Sequence, residues 1–212
     1  MSNVHDYATD TSLFGPTGRY RLEEFLSPPM LHFTPDEANA ASDEWGFNCG
    51  PGALCCVLGM SPARLRPFLG DFESKGYTNP TLMFETLRRL GVKYQAEARN
   101  SIGTGSSPGE AFPAFGLARV QWGGPWTKPG VPMRARYRQT HWVASWRGRG
   151  IIKHAIFDVN ACYWTDFESW KNILVPHILK ECVPRNDGTW WITHSITIPV
   201  EKFGRWDREA GK

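Results

Sequence analysis

The stretch Asn48-Cys49-Gly50-Pro51-Gly52-Ala53-Leu54-Cys55-Cys56-Val57-Leu58-Gly59 decides how the rest of the chain reads. Asn48 is a good N-cap, and Pro51 fits only inside a first helical turn, where its missing N–H costs nothing. An unbroken apolar run follows, and Gly59 closes it. The stretch therefore predicts a largely buried helix with Cys49 at its N-terminal end. There the unpaired N–H groups and the helix dipole favour negative charge, and so favour a thiolate. Gly50 lets a substrate approach the backbone closely, and the N–H of Cys49 can point at a developing oxyanion. Cys55 and Cys56, deeper in the apolar run, read as small buried residues.

Upstream of this helix, residues 1–33 are polar and turn-rich and read as an arm around a single domain at 34–212. Thr34-Pro35-Asp36-Glu37 opens a short helix, with Thr as cap and acids in the first turn, that fades near Ser42. Downstream, Ser61-Pro62 starts a helix running to about Leu69. Asn79-Pro80 starts another, with Leu82, Phe84, Leu87 and Leu90 on one side and Gly91 as its stop. After Gly91 the period changes. Strands are expected at 92–98, 116–122, 134–146, 151–159 and 190–200. Loops are expected at 101–108 and 123–132. A capping box, Thr165-Asp-Phe-Glu168, predicts one more helix, which kinks or ends near Pro176. Helices come first and strands second, so the fold class expected is α+β, an antiparallel sheet packed against a helical half.

The chain has 212 residues, enough for one good-sized core. Hydrophobic residues at 41% and charged residues at 21% exclude a disordered chain. Ten Trp and an aromatic share of 13% supply large rings for the core and for clefts. The net charge is only +3 and the basic residues are scattered, so nucleic acid is not an expected partner. In Arg134-Ala-Arg-Tyr-Arg138, alternation on a strand would turn three arginines to one solvated face. No apolar run approaches the length of about 20 residues needed to cross a membrane, and Met1–Thr11 is polar. The five cysteines include no Cys-x-x-Cys pair, and His and Cys never fall at metal-ligand spacing, so no metal or organic cofactor is implied. A reduced, cytoplasmic protein is expected. A virion-associated protein, or one exported without a signal, would have the same sequence.

A thiol nucleophile needs a base, and the base needs a group to orient it. His141, in Gln139-Thr-His-Trp-Val-Ala-Ser145, lies on a strand with Val143 and Ser145 on the same face. Asp158, in Ala155-Ile-Phe-Asp-Val-Asn160, ends the next strand. Two antiparallel strands joined through Arg147-Gly-Arg-Gly150 would set it beside His141. The bland alternative is that Asp158-Val-Asn simply begins a turn. His154 is too close to the turn to replace His141, whereas His194, also on a strand, competes with it.

These residues together resemble the papain-like cysteine peptidases, in particular the double-glycine leader peptidase group. There a motif like Asn48-Cys-Gly-Pro-Gly-Ala-Leu54 opens the central helix. The His stands in a strand, as in Thr140-His-Trp-Val-Ala144, and an Asp ends the next. A helix like the one at 79–91, ending in Leu-Gly-Val, also fits, and the likeness spans about residues 43–200. The resemblance implies a Cys49–His141–Asp158 triad, a cleft formed by Trp45, Asn48, Gly50 and Trp142, and a peptide or protein substrate. One departure stands out. The family places a Gln about six residues before the Cys to complete the oxyanion hole. Here Asp43 holds that place with Glu44 beside it, and a carboxylate repels an oxyanion. Asn48 is the substitute donor nearest the thiol. Three readings follow: a cysteine peptidase or related amide hydrolase, a weak or inactive scaffold used for binding or in a virion, and a transglutaminase-like or deamidating acyl transferase.

Overall fold

A computed structural model of the chain describes residues 49–98, 111–147 and 154–199, and the single positions 36, 39 and 43. The expected arm at 1–33, the expected loop at 101–108, the turn after Arg147, Glu44, Trp45 and Asn48 lie outside the described residues. So does most of the short helix expected from Thr34, of which Asp36 and Asn39 are helical.

Helix α1, Cys49–Leu58, is apolar all round, and Gly50 through Leu58 are buried. A helix without a polar face belongs inside, and α1 packs on the central strands of the sheet. Ser61 caps α2, Pro62–Leu65, by accepting the N–H of Arg64. Pro67 cannot continue the i→i−4 ladder, and residues Arg66–Phe68 tighten into a 3-10 turn. A short α3, Phe72–Lys75, was not foreseen. Helix α4, Pro80–Arg89, begins where Asn79 accepts the N–H of Leu82 at 2.7 Å. Leu82, Met83, Leu87 and Leu90 are buried under it, and Phe84 is half-buried.

Six strands follow: β1 Gln95–Ala98, β2 Phe115–Trp122, β3 Thr140–Arg147, β4 His154–Asp158, β5 Tyr163–Asp166 and β6 Trp190–Thr197. They form one sheet in the order β1-β6-β2-β3-β4-β5, with every neighbouring pair antiparallel. The α+β class with an antiparallel sheet is therefore what the chain forms. Alternation divides the side chains between two cores. Phe115, Leu117, Trp142, Ala144, Phe157 and Ile196 face α1 and α4. Ala118, Val120, Val143, Ile156 and Ile192 face Trp170, Ile178 and Leu179 on the other side. With both faces covered, β2 is buried along its whole length.

Three expectations need correction. The strand expected at 134–146 begins only at Thr140. Before it, Pro132 starts a one-turn helix, α5, Met133–Arg136, in which the N–H of Ala135 meets the carbonyl of Pro132 at 2.8 Å. Arg134, Arg136 and Arg138 therefore do not share a strand face. Second, Thr165 does not cap a helix. It lies in β5, and Asp166 is the cap, accepting the N–H of Ser169 at 2.9 Å. Third, at the kink or end expected near Pro176, the helix is distorted and does not end. After α6, Phe167–Ser169, a π turn at Trp170–Leu174 widens the coil and α7, Val175–Cys182, continues from it. The wider turn accommodates a proline that lacks an N–H and crowds the carbonyl four residues back.

Candidate active site

Cys49 is the first residue of α1 and His141 the second of β3, and α1 packs against β3. The half-buried Cys49 thiol lies close enough to the His141 side chain and the backbone of Trp142 for both to favour its thiolate. His141 Nε2 lies 2.9 Å from Asp158 Oδ1. With Nε2 engaged there, Nδ1 is the ring nitrogen left for the thiol proton.

The route by which Asp158 reaches His141 differs in detail from direct pairing. The β3–β4 register runs Arg147↔His154 to Ala144↔Phe157. Continued, it sets Asp158 opposite Val143, diagonal to His141 on the same face, where side chains still meet. Asp158 also begins a turn, as its sequence context suggested: its carbonyl accepts the N–H of Ala161 at 3.0 Å. The turn brings in Asn160, whose backbone N–H and side-chain amide both donate to Oδ1, at 2.9 and 3.0 Å. From the covering helix, Trp170 Nε1 donates to Oδ2 at 2.9 Å. The carboxylate is wholly buried and has a donor at both oxygens, as a buried charge requires. Trp122 stacks on the imidazole, 6.1 Å between centroids and 24° between planes. Asn160, Trp170 and Trp122 were not anticipated, and only the Asp-Val-Asn turn signal pointed to one of them.

The electrostatics run in one direction. Burial pushes the Cys49 thiol up, but the hydrogen bond and positive charge of His141, with the backbone bond at Trp142, leave it below its ordinary value. Burial pushes His141 down, yet the charge and hydrogen bond of Asp158 hold it well above the usual imidazole range. Burial raises Asp158, and His141, Trp170 and Asn160 more than offset this and hold it below the usual carboxylate value. The favoured state is thus a thiolate beside an imidazolium, oriented by a carboxylate.

The other cysteines and histidines contrast with this pair. Cys56 is pushed well up by burial, and Cys162 up to about 11. His154, stacked on Phe167 and near Ser145 Oγ at 3.1 Å, is pushed down by burial and Arg147 to about 4. His194 is pushed down to about 4 by burial and Arg119. Both are neutral at physiological pH.

Two expected cleft residues have other places. Trp142 is 1% exposed and belongs to the core beneath α1, its Nε1 donating to the carbonyl of Thr78 at 2.8 Å. Only its backbone serves the thiol. Gly50 is buried too, and the space where a Cβ would stand is filled by the Thr78 side chain, not left open to a ligand. Asp43, in the place of the expected oxyanion Gln, is helical and exposed. Among the described residues, no group of three or more His, Cys, Asp or Glu is arranged to hold a metal ion, and no helix is long and apolar enough to cross a membrane.

Comparison with protein-family models, with curated proteins and with solved structures finds no significant match to this chain.

Proposed function

We propose that this protein is a thiol amidohydrolase on a papain-like scaffold, acting as a cysteine peptidase through Cys49, His141 and Asp158. The observation that supports this reading best is a His141 imidazole held 2.9 Å from a buried carboxylate with donors at both oxygens, beside a Cys49 thiol that it lowers. The Cys49 thiolate attacks an amide carbonyl carbon. The tetrahedral adduct collapses, the C–N bond breaks, and His141 gives its proton to the leaving amine. Water, deprotonated by His141, then splits the thioester. Passing the acyl group to an amine instead would give transglutaminase-like transfer, and a glutamine substrate would give deamidation.

A second reading has its own support. With a carboxylate at Asp43, the scaffold lacks the amide donor expected there, and loss of one oxyanion donor slows such reactions by about 10²–10³-fold. That suits a slow enzyme, or a scaffold kept for binding or for a place in a virion. One experiment separates the two. The protein is incubated with an unfolded protein mixture and with glutamine peptides, and new chain ends and released ammonia are measured by mass spectrometry and an ammonia assay. Products that vanish in Cys49→Ala support the enzyme. Products equal in both proteins, or none after prolonged incubation at high enzyme concentration, overturn it in favour of the scaffold.

A further inference from the structure

Arg119 is the one strongly basic side chain that β2 sends into the core beneath α1. It is 5% exposed, and Nε is buried without a hydrogen-bond partner among the described residues. Trp142 stands opposite it on β3 and His194 on β6. Nη2 donates to Thr140 Oγ1 at 3.1 Å, and the Tyr137 ring lies over the guanidinium at 5.6 Å. Among the described residues no carboxylate forms an ion pair with it. Burial lowers Arg119, Tyr137 and Cys49 offset part of this, and the net value of about 10 keeps it charged at neutral pH.

A buried cation without a carboxylate partner is costly, and a fold keeps one at a net loss in stability. The loss is recovered when an anion arrives, because a guanidinium fork binds a carboxylate strongly in a dry site. Arg119 lies within electrostatic reach of Cys49 and bonds Thr140, which precedes His141 on β3, so an anion held there lies near the reacting thiol.

We propose that Arg119 binds a carboxylate of the substrate adjacent to the scissile amide, which makes acidic peptides the preferred substrate class. The inference rests on the thiol hydrolase reading above. Tyr137, half-buried over the guanidinium, is the side chain that an incoming carboxylate displaces. The carboxylate has two possible sources, an acidic side chain or a free chain end.

The test uses two pairs of Cys49-directed probes on the full chain. One pair is peptide vinyl sulfones carrying Glu or Gln next to the electrophile. The other is iodoacetate and iodoacetamide. The expected result is a Glu probe reacting at least 10-fold faster than its Gln partner, with the ratio falling toward one in Arg119→Met and partly restored in Arg119→Lys. A merely structural role for Arg119 would lower both rates in step and leave the ratio alone. An Arg119-dependent preference for iodoacetate with equal Glu and Gln rates assigns the site to a free chain end. If Arg119→Met does not fold, the wild-type ratios decide: no acid preference in either pair overturns the proposal. Rapid reaction of Cys49 without acid preference overturns the proposal and leaves the thiol site standing. No reaction at Cys49 with any of the four probes overturns both.

Discussion

His141 Nε2 and Asp158 Oδ1 stand 2.9 Å apart across a diagonal of two antiparallel strands, with the carboxylate closed off from solvent. Asp158 also takes hydrogen bonds from Asn160 and Trp170. Removing the carboxylate therefore leaves a buried imidazolium and several donors without a partner. Asp158→Ala is expected to destabilise the protein by about 3–5 kcal/mol, since breaking one half of a buried pair costs the most. Trp170→Phe keeps an aromatic ring but loses the indole N–H to a charged acceptor and some buried volume, a smaller loss of about 1–3 kcal/mol. Urea unfolding monitored by tryptophan fluorescence measures both, and equal effects would contradict the arrangement.

The Cys49 thiol is lowered by His141 against a burial effect that raises it. Alkylation of wild-type Cys49 by iodoacetamide should therefore reach half its maximal rate below the pH of about 8.5 typical of a free thiol. In His141→Ala only burial and the Asp158 charge are left on the raising side, so the midpoint should move above the free-thiol value. The rates are read site by site with mass spectrometry. A midpoint unchanged between the two proteins would show that the imidazole does not govern the thiol.

The same groups set the pH dependence of stability. Asp158 has a folded value below its unfolded value of about 3.9, so its contribution is complete above that pH and is lost as pH falls through the folded value. His141 has a folded value well above its unfolded value of about 6.5, so its contribution is complete below that pH and is lost as pH rises through the folded value. Urea midpoints measured across the pH range should fall at both ends. In Asp158→Asn the acid fall should shrink, and the alkaline one as well, because the imidazolium loses its counter-charge. An unaltered profile in that variant would be the adverse result.

Gly50 adjoins the Thr78 side chain so closely that a Cβ at Gly50 would lie 2.5 Å from Thr78 Cβ. Gly50→Ala is expected to cost about 1–3 kcal/mol through overpacking. Thr78→Gly should recover part of that loss in the double variant, which additive, unrelated effects would not do. A double-mutant cycle by urea unfolding, with Cys49 alkylation followed in parallel, gives the coupling.

What the amino-acid sequence determined by itself was local. Pro51, Asn79-Pro80 and Gly91 are signals read within one helical turn, and they mark α1 and α4 because capping and proline geometry act over a few residues, while the box at Thr165 placed the start of α6 one residue early. Alternation over several residues marked β2, β3, β4 and β6. The thiol at a helix start and a histidine on a strand were legible for the same reason. β5 was missed because Tyr163–Asp166 is four residues long and runs into the cap that follows it. The apparent alternation at 134–138 misled, since the turn set by Pro132 outweighs a weak strand pattern.

The tertiary structure alone decided what surrounds the site. Trp170 reaches Asp158 only because α6, the π turn and α7 fold back over the second face of the sheet. Thr78 occupies the space at Gly50 only because a loop 28 residues later docks on α1. Arg119 is buried, with its Nε unsatisfied among the described residues, through the register of β2 with β3 and β6. Register, burial and the partner of a charge depend on the packing of elements far apart in the chain, and no signal spanning a few residues encodes them.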